Sequence, residues 1–379
     1  MVIMMFRSNY LFILLFLMGM IPVQLLSQNN SCWNIFRGDQ ALTGATLFEL
    51  PDKPGVIWTY KTDDEIKASP VACDDRIVVG SGDGFVYCLD LSGKLTWKFN
   101  TGNNIEAPAL ILDGSVYVGN LDGVLYSLDL KTGRQNWIYQ TDNQISGSPN
   151  YWKEGRRTSI LVGSYDFYLH CVDASTGKMI WKYESDNFIN GAPACLNGVA
   201  VFGGCDGYLH MVDIKTGKLK NKIMVATYVA GSAALSGNHA YVGDYDGIFT
   251  CVDMQQQKIM WYWQDETTNL PFLASPSVYK DKVFIGNHNK YVYCFNKTSG
   301  DLIWKYNTGS RLEASPVVSL NKILAANMRG DLFMLDIQNG KEIWKYETGT
   351  PVIGTSAVMK NKIIVATSDG YIYCFGVKK

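Results

Sequence analysis

The chain has 379 residues, 47% of them hydrophobic, and a formal net charge of −1. That is enough apolar material for a large core, and a near-zero charge without a Lys/Arg cluster excludes an electrostatic footprint for nucleic acid. Its 10 Trp, 22 Tyr and 36 Gly suit a protein of strands and turns.

The N-terminal stretch reads as a secretory signal over residues 1–27. Arg7 supplies a positive charge, residues 11–21 are an apolar run interrupted only by Gly19, and Pro22 breaks it ahead of Ser27. The run is about half of the roughly 20 residues a membrane span needs, so the mature chain is expected to carry no transmembrane span. Two alternatives stand beside this reading. One is an uncleaved anchor. The other is a lipoprotein signal with Cys32 as the lipidated residue, although Asn29, Asn30 and Ser31 match that pattern poorly.

Residues 28–55 form a lead-in without repeat character, containing WNIFRGDQALTG from Trp33 to Gly44. From Val56 onward a single unit is written again and again. Its first marker is a two-residue turn: Asp83-Gly84, Asp122-Gly123, Asp166-Phe167, Asp206-Gly207, Asp246-Gly247, Asn289-Lys290, Arg329-Gly330 and Asp369-Gly370. Asp-Gly between alternating apolar runs is the strongest short hairpin signal, because Gly accepts positive φ. A strand, a second turn and a strand carrying Trp follow, with Trp97, Trp137, Trp181, Trp261, Trp304 and Trp344 in that place. Asn221 replaces the Trp once. Each unit opens on small residues, such as Ala68-Ser69-Pro70 and Ala274-Ser275-Pro276. Small residues fit where sheets converge on an axis, and Pro suits an edge strand.

Four strands per unit of about 40 residues is the period of a propeller blade. The predicted fold is therefore all-β: an eight-bladed β-propeller of four-stranded antiparallel blades over residues 56–379. The last unit lacks its Trp strand. Residues 56–62 (VIWTYKT), from Val56 to Thr62, match the missing strand and are expected to close the ring, which removes the open edge of a linear array.

Several repeated residues tempt a functional reading and are better explained by structure. Asp90, Asp129, Asp173, Asp213, Asp253 and Asp336 could suggest metal, but each precedes a turn whose N–H groups it can accept. His170 and His210 take the place of Tyr87, Tyr126, Tyr293 and Tyr373. The Trp set reads as inter-blade packing. Cys88, Cys171, Cys251, Cys294 and Cys374 share one position with Ser127, Met211 and Met334, which describes a small buried slot. Disulfides are permitted by export but not demanded by this pattern.

The unit D-G-x-x-Y-x-L-D-x-x-[ST]-G-K-x-x-W, as in Asp83 to Trp97, resembles the quinoprotein-type (PQQ-like) propeller repeat. Trp33 to Asp39, WNIFRGD, is similar to the lead-in of exported members. The resemblance implies two branches. One is non-catalytic, of the outer-membrane assembly factor BamB type, and this chain is similar to it in length and blade count. The other is the quinone-dependent dehydrogenases, which would imply pyrroloquinoline quinone and calcium. The alcohol-oxidising members carry an adjacent Cys-Cys pair, and no Cys-Cys occurs here. The expectation is a non-enzymatic, monomeric scaffold without cofactor, exported to the periplasm or outer-membrane periphery. Its partner would be an envelope protein, with outer-membrane assembly machinery as the family's suggestion. The alternatives are a quinoprotein oxidoreductase and a propeller binding glycans or another small ligand.

The candidate site is the face where the units differ. The residue before each first turn and the loops between blades place Tyr165, Phe188, Tyr228, Tyr245, Phe272, His288, Arg311 and Met328 there. Exposed aromatics with Arg nearby are the usual composition of a protein-binding patch. The competing expectation is that these rings fold inward and plug the channel mouth. Residues 264–273 form the longest inter-blade loop. Residues 151–157 (YWKEGRR), with Trp152, Arg156 and Arg157, are an insertion expected to project from the opposite face.

Overall fold

Each first turn closes the hairpin that its sequence predicts. Asp83 and Gly84 join Arg76–Gly80 to Phe85–Asp90, and Gly84 takes φ +81°, which costs little without a Cβ. An innermost strand, Val71–Cys73, and an outermost one, Leu95–Asn100, complete the blade. The computed structural model describes residues 32–225 and 227–377, and the secretory signal expected over residues 1–27 lies outside them. Eight such sheets make the eight-bladed propeller, and the one opening on Val317–Ser319 takes Ala45–Thr46 of the lead-in as a parallel fifth strand. They are numbered here as blades 1 to 8 in the order of their first turns. Among the described residues no helix is long and apolar enough to cross a membrane.

The ring closes as the sequence predicts. Gly55–Lys61 pairs antiparallel with Tyr371–Gly376, setting Trp58 opposite Cys374. Blade 8 is thus made from both ends of the repeat region.

Two structural readings of repeated residues hold. The Asp90 carboxylate accepts from the Ser92 hydroxyl at 2.6 Å and from the N–H groups of Lys94 and Ser92 at 3.1 and 2.8 Å, and these bonds hold it below the usual carboxylate range. His210 does the work of a tyrosine: its ring lies 2.8 Å from Asp206, as the Tyr87 hydroxyl lies 2.6 Å from Asp83.

Around the axis the blades are tied by hydroxyls of the small-residue strands. The N–H of Ala192 donates to Ser232 Oγ, that of Ser232 to Ser275, that of Ser275 to Ser315, that of Ser315 to Thr355, and that of Thr355 to Ser69. Small size alone does not explain the motif. The hydroxyl accepts an N–H that would otherwise be buried without a partner.

The lead-in belongs to the ring. Trp33 exchanges backbone hydrogen bonds with Ala72 of blade 1. The carbonyls of Asn34, Gln40, Ala41, Thr43 and Gly44 then accept from Ile111, Cys195, Leu235, Val278 and Val318 of blades 2, 4, 5, 6 and 7. Gln40 also bonds Asn150 and Tyr151 of blade 3, and Glu49 accepts from Asn361 of blade 8. Every innermost strand presents an unpaired edge to the axis, and the lead-in bonds to that strand in blades 1 to 7 and to the turn after it in blade 8. It does so on the face opposite the Asp-Gly turns.

A disulfide between Cys32 and Cys73 staples this segment to blade 1. The repeat pattern demanded no such bridge, because Cys73 sits at an innermost-strand end that the repeated cysteines do not share. The bridge engages the thiol that a lipid anchor would use.

Candidate functional site: the variable face of the ring

One backbone bond per blade builds this face. The N–H of the residue before the turn donates to a carbonyl in the preceding inter-blade loop. The pairs include Tyr165 with Gln144, Cys205 with Phe188, Tyr245 with Tyr228, His288 with Pro271 and Met328 with Arg311, at 2.9 to 3.1 Å. Two residues that vary between blades are therefore displayed side by side at each position around the rim.

The sequence-predicted residues are partly brought together. Tyr165 stacks tilted against Phe188, with centroids 4.9 Å apart, and Phe188 against Phe167 at 5.1 Å. Tyr228 and Tyr245 form an edge-on pair at 5.5 Å. Asn190 links the two groups: its amide donates to the Tyr228 hydroxyl at 2.9 Å and accepts from the Cys205 thiol at 3.4 Å. Burial, with Cys205 beside it, pushes the Tyr228 phenol up to about 12, so it stays un-ionised. Tyr245 is 54% exposed and Phe188 36%. A second group lies on blades 6 and 7. Glu313 Oε1 sits 3.7 Å from the His288 ring and 3.3 Å from Arg311. Burial holds the His288 ring below its ordinary pKa, with Glu313 opposing.

Phe272 is a correction. It is fully buried, in contact with Phe249, Trp263 and Tyr293. Its counterparts are Ile105, Ile145, Ile189 and Leu312, all buried. Each sits against the glycine that ends a second strand; a Cβ on Gly243 would stand 2.4 Å from Phe272 Cβ. The displayed loop position is one residue earlier, at Pro271. Aligning the long loop from its C-terminal Ala274-Ser275-Pro276 would have shown this.

Phe167 is the residue that sequence reasoning passed over. It holds φ +76° and is 39% exposed, at the turn position where Gly84, Gly123, Gly207, Gly247, Gly330 and Gly370 stand. A bulky side chain resists that conformation, and such strain gathers where a side chain is needed for a task. The signal was present in Asp166-Phe167 standing for Asp-Gly.

None of Tyr165, Phe188, Tyr228, Tyr245 or Phe272 lines the axial cavity of about 160 Å³. Phe36 of the lead-in, Lys67, Ser69, Ser148, Asn190 and Glu313 are among its lining. Residues 151–157 do extend a hairpin on the opposite face, between Asn150–Glu154 and Arg157–Gly163, with Trp152 half-buried.

The axial cavity does not fit a quinone bearing three carboxylates. Lys67 is its one lining cation and already pairs with Glu65 and Glu106 at 3.1 and 3.0 Å, while Glu313 adds negative charge. Among the described residues the one trio of His, Cys, Asp or Glu side chains close enough to share an ion is Cys32, Cys73 and Asp74, and both cysteines are in the disulfide.

Comparison with solved structures places the fold among propellers of both branches. BamB from Moraxella catarrhalis is similar at 20% identity and TM-score 0.72, over 86% of this chain and 98% of that one. A europium-containing methanol dehydrogenase is similar at 12% identity and TM-score 0.78, over 92% and 98%. Quinohemoprotein alcohol dehydrogenase from Comamonas testosteroni is similar at 14% identity and TM-score 0.76, over 92% and 81%. A sequence comparison with curated proteins finds no match. The family model described as outer membrane protein assembly factor BamB matches residues 50–151, 144–290 and 288–378, so the chain belongs to that family of PQQ-like repeat propellers.

Proposed function

We propose that this protein is an exported, non-catalytic scaffold that holds an envelope protein partner on the variable face of its ring. The observation that carries the reading is the joined aromatic surface of Phe167, Tyr165, Phe188, Tyr228 and Tyr245, part of it bought with backbone strain at Phe167. Packed blades hold these loops still, so a partner binds with little loss of loop entropy. Arg311 and Met328 extend the same face over blade 7, with His288 beside them on blade 6. Family membership supports a partner in outer-membrane assembly, in the periplasm or at the outer-membrane periphery. The Cys32–Cys73 disulfide supports export, since such bridges persist in oxidising compartments.

A photocrosslinker at Phe188 in intact cells tests the reading. A discrete protein adduct is expected, lost on combined replacement of Phe167 by Gly and Tyr245 by Ala while the purified ring keeps its unfolding transition. An adduct unchanged by those replacements clears this face of the role. A stoichiometric quinone spectrum with dye reduction, after adding pyrroloquinoline quinone and calcium, would establish the oxidoreductase alternative instead. Glycan-array binding would favour a carbohydrate ligand.

A further inference from the structure

Six outer-strand tryptophans close their seams in one way. The indole N–H of Trp58, Trp97, Trp137, Trp181, Trp261 and Trp304 donates to a main-chain carbonyl of the next blade at 2.9 to 3.2 Å. The ring lies flat on the second-turn glycine of that blade. A Cβ on Gly93, Gly133, Gly177, Gly217, Gly300 or Gly340 would stand 2.5 to 2.7 Å from a ring carbon. Tryptophan and glycine are two halves of one joint.

The seam between blades 4 and 5 has lost both halves. Asn221 stands opposite Met211 where Trp181 stands opposite Cys171. Gln257, at φ +58°, holds the position of Gly133 and Gly177. The joint is replaced by a cleft of about 350 Å³, whose walls include Leu196, Val199, Val201, Met211 and Met254. The Met254 carbonyl corresponds to those of Leu130 and Ile214, which accept from Trp97 and Trp181. Among the described residues no side chain donates to it, and the Asn221 side chain makes no hydrogen bond. Met211 does not stand in for the ring, because Met334 holds the same place in blade 7 with Trp344 still opposite it. The corresponding groove between blades 2 and 3, of about 440 Å³, keeps Trp137 in its wall and differs in chemistry, with Asp113, Arg156, Arg157 and Asp173 lining it.

We infer that this cleft binds a tryptophan side chain presented by a polypeptide partner. The wall shares two features with the one an indole meets elsewhere in the same ring: apolar side chains, and a main-chain carbonyl to which no other side chain donates. The Cβ of Gln257 takes the space of the resident ring face, so the incoming ring enters tilted from the solvent side. There the amides of Asn221 and Gln257 and the Lys220 ammonium can meet the main chain that carries it. The site lies between the turns at Asn197 and Asn238, on the face opposite the aromatic surface, and does not depend on the function proposed for that surface.

Titration of the whole protein with N-acetyl-5-fluorotryptophanamide, followed by fluorine NMR line broadening, tests this. Saturable binding is expected. It should weaken several-fold when the indole nitrogen is methylated, and at least tenfold in the double variant N221W/Q257G, which rebuilds the resident joint. That variant should also unfold at higher temperature. Should it fail to fold, Leu196→Lys, which places a charge on the half-buried wall, should lower affinity at least tenfold. Binding left unchanged by N221W/Q257G or Leu196→Lys, or no broadening at all, overturns the proposal. Equal or tighter binding of free 5-fluoroindole would overturn the polypeptide assignment and make the site one for a small ligand.

Discussion

Arg37 and Ser277 lie 240 residues apart, yet the guanidinium donates to the serine Oγ at 2.6 Å, fully buried beneath the ring. Arg37 also donates to the carbonyls of Pro276 and Pro316, both at 2.8 Å, and so ties the lead-in to blades 6 and 7. Replacing Arg37 by Met should destabilise the protein by about 3 kcal/mol or more. It strands the buried Pro276 carbonyl, leaves the Pro316 carbonyl with the Ser277 hydroxyl alone, and removes the cation beside Asp39. Denaturant unfolding measures this, and a loss below about 1 kcal/mol would show that the Arg37 bonds do not hold the lead-in to the ring.

The Cys32–Cys73 bridge closes a loop of 41 residues. Chain-entropy arguments put its contribution at roughly 3–4 kcal/mol. The paired variant C32S/C73S should lose that amount, and reductant should have the same effect on the wild type and none on the variant. An identical response of both proteins to reductant would place the effect elsewhere.

Asp244 is buried in a position that Asn120, Asn287 and Asn327 hold in other blades. Those amides donate to the carbonyls of Thr101, Leu270 and Thr308 at 2.8 to 3.2 Å. Asp244 Oδ1 accepts from the Ile248 N–H, but Oδ2 has no partner, and burial raises its pKa from 3.8 to about 6. A protonated carboxyl can donate as the amides do. Because the folded pKa is the higher one, the stability contributed by protonated Asp244 is full below about pH 4 and lost as pH rises through about 6. Asp244→Asn should therefore gain on the wild type by about 2–3 kcal/mol between pH 4 and pH 7.5. Urea unfolding at the two pH values tests this; a difference that does not change with pH would contradict it.

Two glycines with similar backbones should behave differently. Gly133 holds φ +70° with a prospective Cβ 2.6 Å from Trp97 Cδ2, whereas Gly102 holds φ +87° in open space. Gly102→Ala should cost about 1 kcal/mol, the left-handed penalty alone. Gly133→Ala should cost about 2–4 kcal/mol, because the seam must also open. Melting temperatures rank the pair, and equal losses would mean that the indole yields freely.

The blades, their turns and the closing strand were legible in the residues alone. Asp83-Gly84, the alternation from Phe85 to Asp90 and Trp97 each act through neighbours within one hairpin or one seam, and the repeat writes the same local physics many times over. The variable face was legible too, as the place where repetition stops. Tertiary structure decided what depends on atoms distant in sequence. It buried Phe272 while leaving Phe188 displayed, because the longer loop shifted which residue meets Gly243. It wound the non-repeating lead-in past all eight blades, joined Cys32 to Cys73, and set Arg37 against Ser277. A repeat announces what each unit needs, but the edges that eight units leave facing the axis exist only once the ring has closed.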